Sequence, residues 1–200
     1  IKLYYMYIVF EGIDGSGKST QINLLKNYLE KNGLKVECVV EPTDKTVGKV
    51  IREILTHEDS TTSNVQKTLG LLFAADRMQL MNTIESYEKE GKIVLSDRSF
   101  YSSLAYQEPQ DWIYEINKFV KNPDMVLYLN IDLDKSLKRT TGIDEFENKE
   151  FLTKVQCNYE NLCRNHNFKI INANNGVNLV SRDIQKAVAP LFDICVNNIR

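Results

Sequence analysis

The sequence predicts an α/β chain built on a mostly parallel sheet. Three observations carry this. Short β-branched and aromatic runs recur along the whole chain, with amphipathic stretches between them. Most of these runs are apolar at nearly every position and are bounded by Gly or Pro, which suits strands covered on both faces. The order is strand, helix, strand, helix throughout, the pattern of crossover connections.

Taken in order, Tyr7-Ile8-Val9-Phe10 predicts the first strand, ending at Gly12. Lys18 to Asn32 predicts a helix, with Leu24, Leu25, Tyr28 and Leu29 on one face and Gly33 as its stop. Val36-Glu37-Cys38-Val39-Val40 predicts a strand ended by Pro42, and Val47 to Thr56 a helix behind Asp44. A long helix is expected from Ser63 to Glu90, closed by Gly91 and followed by the strand Ile93-Val94-Leu95-Ser96. Met125 to Leu129 predicts the next strand, and Asp132, a capping residue, opens a helix to Thr140. Lys149 to His166 places Phe151, Val155, Tyr159 and Leu162 at helical spacing. Lys169-Ile170-Ile171 predicts the last strand, and Leu179 to the C-terminus a last helix. No repeat or long linker divides the chain, so residues 1–200 read as one domain. The polar, Gly-containing stretch at about 139–149 reads as a mobile excursion from it.

The chain has 200 residues, 42% hydrophobic and 26% charged, which is globular composition. With 25 basic and 27 acidic side chains, it has no global cationic field to attract nucleic acid or a membrane surface. Cys38, Cys157, Cys163 and Cys195 form no C-x-x-C pair and are accompanied by no histidine cluster. Four reduced and mostly buried thiols in a cytoplasmic protein are expected. The apolar run Tyr4 to Phe10 is too short for a membrane span and precedes no cleavage site, so no signal peptide is expected. Met6 reads as the natural start. His57 and His166 stand alone and read as surface or structural residues.

The strongest chemical signal is Gly12-Ile13-Asp14-Gly15-Ser16-Gly17-Lys18-Ser19. It fits G-x-x-x-x-G-K-[ST] and lies between a predicted strand and a predicted helix, where the mechanism needs it. The glycines let backbone N–H groups converge on a phosphate, and the helix start adds its positive end. Lys18 would reach the β/γ-phosphates, and the Ser19 hydroxyl would ligate Mg²⁺. Neither Asn117-Lys118 nor Asn148-Lys149 continues into N-K-x-D, which argues against a guanine-specific switch. The size suits a small-molecule kinase.

Three further groups point the same way. Asp97-Arg98 follows a strand, at the sheet edge where ligands sit in open α/β folds. There a carboxylate orients a metal shell or an attacking oxygen, and an Arg grips a second phosphate. Phe73 and Arg77 share a helix face, so a ring can stack on a base while a guanidinium donates to its edge. Alone, that pair is equally a core ring and a solvated cation. Ser99 to Gln107 carries hydroxyls and an amide that suit a polar pocket, or an ordinary helix.

Together these segments resemble the thymidylate kinase family. The matching stretches are Y-I-V-F-E-G-I-D-G-S-G-K-S-T-Q at 7–21, V-E-P-T at 40–43 and G-K-V-I-R-E-I-L at 48–55. L-L-F-A-A-D-R at 71–77 and S-D-R-S-F-Y-S-S-L-A-Y-Q at 96–107 complete the set. The resemblance is good from Met6 to about Tyr128. It implies a three-layer P-loop kinase fold with a five-stranded parallel sheet and a small lid. It implies ATP-dependent phosphorylation of dTMP to dTDP with Mg²⁺, and a homodimer. Carried over by position, Gly12, Asp14, Gly15, Ser16, Gly17, Lys18, Ser19 and Thr20 would bind ATP. Ser19 and Asp97 would serve the metal, and Asp14 would contact the sugar 3′-hydroxyl. Phe73 would stack on thymine, Arg77 would donate to its O4, and Arg98 would hold the monophosphate. Ser103 and Gln107 would lie against the base, and Tyr106 would crowd the 2′ position. The physical logic agrees, since an Arg donor matches the O4 acceptor of thymine and opposes the amino donor of cytosine.

Two departures matter. Val40 stands where many bacterial members carry Arg, and the variable P-loop positions, Ile13 to Ser16, hold no base. The cation near the transferring phosphoryl would then come from the lid, with Arg139 foremost and Lys138 and Lys149 behind it. The catalytic set expected is Lys18, Asp97, Arg98 and Arg139. A kinase for another nucleotide or a deoxynucleoside, and a catalytically weak nucleotide-binding module, stay open. Leu69, Leu71, Leu72, Met78, Leu80 and Met81 suit either a dimer face or the core.

Overall fold

A computed structural model describes residues 5–57, 60, 62–140 and 149–194. The elements are β1 (Met6–Glu11), α1 (Lys18–Lys31), β2 (Val36–Val40), α2 (Thr46–Leu55), α3 (Ser63–Lys89), β3 (Ile93–Asp97) and α4 (Phe100–Tyr106). They continue with α5 (Gln110–Ile116), β4 (Met125–Asn130), α6 (Leu133–Leu137), α7 (Lys149–His166), β5 (Lys169–Asn172) and α8 (Val177–Val188). A 3₁₀ turn, Ala189–Phe192, follows α8.

The sheet has five strands in the order β2-β3-β1-β4-β5. All are parallel, with Phe10 of β1 opposite Asp97 on one side and Leu127 on the other. The glycine-rich loop therefore leaves the middle strand, at the carboxyl edge where the chain turns to either side. Tyr7 to Phe10, Ile93 to Leu95 and Leu127 to Leu129 are buried. They are packed from above and below, which is why these runs carry no polar alternation. From α1, Ile22, Leu25 and Leu29 enter the core, each burial contributing about 1.5–3 kcal/mol. Leu24 and Tyr28 are only half-buried at its rim.

The expectation of strands buried on both faces holds for the central three and fails at the edges. In β2 only Val36 is buried, with Glu37 to Val40 partly or fully exposed, and Ile170 of β5 is 55% exposed. An edge strand has a neighbour on one side only, so its outer residues reach water. Three other expectations shift. The helix predicted from Asp132 ends at Leu137, α5 was not anticipated, and the last helix stops at Val188, where Pro190 forces the 3₁₀ turn. Most of the predicted excursion, at 141–148, lies outside the described residues, as does Cys195. The expectation of mostly buried thiols fails, since Cys38 lies on an edge strand and Cys157 on the outer face of α7, both exposed, and Cys163 is only half-buried. On α3, Leu69, Leu80 and Met81 are core, whereas Leu71 and Met78 are exposed. His166 is at the surface, exposed, with its ring lying near Tyr101 and Phe168.

Candidate active site

The glycine-rich loop is held by both its neighbours. At Gly15 the backbone is left-handed (φ 72°), and a Cβ there would lie 2.7 Å from the Ser136 carbonyl oxygen. Only glycine permits this close pass against α6. The Ser136 hydroxyl donates to the Asp14 carbonyl at 2.5 Å. Lys18 is buried under the loop and donates to the carbonyls of Gly12 at 3.0 Å and Ile13 at 3.2 Å. Burial and the Arg98 guanidinium push its ammonium below the usual lysine range, against the pull of Asp14 and Asp97. Anionic oxygens at this point restore the charged form.

Asp97 ends β3 and accepts from the Ser19 hydroxyl at 2.8 Å, so a carboxylate and a hydroxyl from two elements meet beside the loop. Both are hard oxygen donors of the kind Mg²⁺ takes. The next residue, Arg98, has φ 75°, rare for a side chain with a Cβ and a cost of about 1–2 kcal/mol. The sheet holds it there. Its N–H donates to Phe10 at 3.0 Å, and the Ser96 hydroxyl donates to its carbonyl at 2.7 Å. This turn aims the guanidinium across the loop, where Nη2 pairs with Asp14 and Nη1 donates to the Ser102 hydroxyl at 3.1 Å. The Tyr106 ring lies 5.3 Å from its Cζ.

Two cavities open from this point. One, of about 590 Å³, runs along Gly15 to Gln21 and is bordered by Asp97, Arg139, Asn175, Gly176, Val177 and Val180. Arg139 sits on the loop itself, donating to the Gly15 carbonyl at 3.2 Å. The other, of about 210 Å³, lies between α3 and α4 and is lined by Phe73, Arg77, Ser103, Tyr106 and Gln107, with Leu55, Gln66 and Leu69 beyond them. Asp14, Glu41 and Arg98 border both.

Arg77 is 2% exposed and already heavily bonded. Its Nε donates to Glu41 at 2.7 Å, Nη1 to the Asn117 side chain, and Nη2 to the Ser103 hydroxyl at 3.2 Å and the Ser99 carbonyl at 3.4 Å. Burial holds the Glu41 carboxyl above the usual range, with Arg77 opposing. Gln107 donates to the Gln66 carbonyl at 3.3 Å, and its buried Oε1 has no partner among the described residues. That oxygen is an acceptor available to a ligand.

The predicted site residues thus fall into two adjoining groups. Gly15 to Thr20, Asp97 and Arg139 border the larger cavity; Phe73, Arg77, Ser103, Tyr106 and Gln107 line the smaller; Asp14 and Arg98 join them, while Gly12 borders neither and instead accepts from Lys18 through its carbonyl. Lys138 is exposed, and Lys149 pairs with Asp134 at 2.7 Å on the surface. Sequence reading missed Glu41, Asn117 and Asp76. Asp76 accepts from the Thr43 N–H at 2.7 Å and its hydroxyl at 2.6 Å, tying the E-P-T turn to α3. Charged side chains inside otherwise apolar or turn-forming segments were the signal available for Glu41 and Asp76. For Asn117 there was none.

Comparisons with known proteins agree with one another. A family model described as thymidylate kinase matches residues 10–184. A probable thymidylate kinase of Methanobrevibacter smithii is 60% identical over 195 residues, spanning 98% of this chain and 100% of that one. One from Methanothermobacter thermautotrophicus is 46% identical, spanning 97% and 100%. The solved thymidylate kinase of Candida albicans superposes with a TM-score of 0.82 at 25% identity, covering 94% of this chain and 92% of that one.

Proposed function

The chain belongs to the thymidylate kinase family, enzymes that phosphorylate dTMP to dTDP with ATP, and from this we propose how its own residues divide the work. The observation that carries the assignment is the pair of cavities meeting at Asp14, Glu41 and Arg98. A transferase for two nucleotides needs two pockets whose phosphate ends touch.

The larger cavity takes ATP. The N–H groups of Gly15 to Thr20 and the Lys18 ammonium hold its phosphates. The smaller cavity takes dTMP, with Phe73 against the base and Arg77 at its O4. Glu41 and Asn117 fix the tilt of the Arg77 guanidinium. A cytosine amino group would face this donor, at about 1–3 kcal/mol for the unpaired polar group. Gln107 Oε1 accepts from the base, and Tyr106 closes on the sugar.

Arg98 leaves Asp14 to grip the dTMP phosphate, and Asp14 turns to the sugar hydroxyl. An oxygen of that phosphate attacks the γ-phosphorus as the bond to the ADP oxygen breaks, and the charge passes to ADP. Little covalent work is asked of the protein, so Lys18, Arg98 and Arg139 act by position and charge. Ser19 and Asp97 would hold Mg²⁺, which supplies charge neutralisation on the phosphates. Arg139, resting on the loop carbonyl, is the added cation; such arginines contribute about 10³–10⁵ in rate.

We further propose a cytoplasmic enzyme without a nucleic-acid partner. Among the described residues, no helix is long and apolar enough to cross a membrane. Leu71 and Met78, exposed on one face of α3, support a homodimer through that helix.

ADP release from Mg·ATP, with dTMP, dUMP, dCMP, UMP, AMP and thymidine offered separately, tests the reading. Fast dTMP turnover, slow dUMP and little else is expected, with loss of dTMP turnover in Arg98→Ala. Unchanged dTMP turnover in that variant would remove Arg98 from its assigned place.

A further inference from the structure

Glu11 closes β1 and is fully buried, just ahead of the glycine-rich loop. No step above uses it. Four donors converge on its carboxylate: the Ser99 N–H at 2.9 Å and hydroxyl at 2.7 Å on Oε1, and the Ser102 hydroxyl at 2.6 Å and Tyr159 hydroxyl at 2.8 Å on Oε2. They come from the turn after β3, from α4 and from α7. Burial and Glu11 itself hold the Tyr159 hydroxyl well above the ordinary range, so it remains a donor.

The Ser102 oxygen is also the one that Arg98 Nη1 meets at 3.1 Å. A hydroxyl carries a single proton. With that proton committed to Glu11, Ser102 presents only lone pairs to Arg98, and a guanidinium can only donate. The carboxylate therefore sets the polarity of the contact that pins one end of Arg98. The Tyr159 hydroxyl, 3.1 Å from the Ser102 oxygen and also aimed at Glu11, keeps this arrangement from reversing. Tyr159 is anchored in turn by stacking on Tyr128, with ring centroids 5.0 Å apart.

We propose that Glu11, Ser102 and Tyr159 are positioning residues for Arg98, holding Nη1 so that Nη2 is presented to an acceptor phosphate. This rests on the reading that Arg98 grips the dTMP phosphate. A merely structural cluster would affect every ligand alike. A cluster acting through Arg98 affects the phosphate and spares the nucleoside.

The test is the ratio of dTMP to thymidine affinity, measured by calorimetry on the full chain, together with the KM for ATP. In Glu11→Gln the side-chain amide can donate to Ser102 and turn its proton toward Arg98. dTMP affinity is expected to fall about tenfold or more, with thymidine affinity and the ATP KM within about twofold. Tyr159→Phe keeps the ring packing and is expected to give a loss of about threefold with the same selectivity. Glu11→Asp, which keeps the charge, should restore part of the preference. In an Arg98→Ala background, Glu11→Gln should cost nothing further. Equal losses for dTMP and thymidine, or no loss for either, would overturn the proposal. If Glu11→Gln fails to fold, Tyr159→Phe decides alone. If Arg98→Ala itself leaves the ratio intact, the assignment of Arg98 fails and takes the proposal with it. If Arg98→Ala collapses the ratio while Glu11→Gln and Tyr159→Phe keep it, only the positioning role is lost.

Discussion

Gly48→Ala isolates one contact on which the acceptor side depends. Gly48 lies in the first turn of α2, directly over the E-P-T turn. A Cβ there would stand 1.9 Å from the Thr43 carbonyl oxygen and 2.8 Å from its nitrogen. Ordinary contact begins near 3.4 Å, so helix or turn must move by about 1.5 Å. Neither is free to do so. Thr43 is bonded twice to the buried Asp76, and Arg52 of α2 donates to the carbonyls of Thr43 at 2.7 Å and Pro42 at 2.5 Å. Breaking the two Asp76 bonds costs at least about 3 kcal/mol at 1.5 kcal/mol each. In a chain of this size that lowers the melting temperature by roughly 6–12 °C. The displaced turn also carries Glu41, the partner of Arg77, so the dTMP KM should rise about tenfold. The ATP KM should stay within about twofold, because α6 anchors the glycine-rich loop separately. Thermal melts and initial rates measure both effects. Gly176→Ala, where a Cβ meets nothing within 4 Å, is the stability contrast, expected within about 2 °C. A Gly48→Ala chain that melts within about 2 °C of the parent with an unaltered dTMP KM would refute the packing argument.

Asn117→Ala removes the partner of Arg77 Nη1, and the kcat/KM preference for dTMP over dCMP should drop about threefold to tenfold; an unchanged ratio would detach Asn117 from base reading. Because burial lowers the Lys18 pKa and phosphate needs the ammonium, ATP affinity should weaken as pH rises, and at a pH below the 10.5 of an ordinary lysine. A Lys18→Met chain should lack this slope. In the unliganded chain the fold is more stable above pH 10.5, where Lys18 is neutral in both states, and that advantage is lost as pH falls through the depressed value and the buried amine charges, so the stability gain of Lys18→Met over the parent should grow on acidifying from pH 10.5. Burial pushes the Cys163 thiol up to about 11, so iodoacetamide should label it slowly at pH 8 and faster toward pH 11 by mass spectrometry. Labelling at pH 8 at the rate of a free cysteine would contradict this.

The parallel α/β class, the central strands and the phosphate loop were legible from residue order alone. These are local. A doubly buried strand must be apolar throughout, and a loop wrapping phosphate needs glycine at fixed offsets before a helix. The grouping of Phe73 with Arg77 was legible because helical spacing puts them on one face. Only the sheet order settled which strands are edges, and hence where β2 and β5 become exposed. The tertiary structure alone showed that Arg77 is held by Glu41 and Asn117, residues 36 and 40 positions away in the chain. It alone joined Glu11 to Tyr159 across 148 positions. Such partners leave no periodic trace. A buried charge must find its counter-charge wherever the fold brings one near, and sheet order and helix packing make that choice.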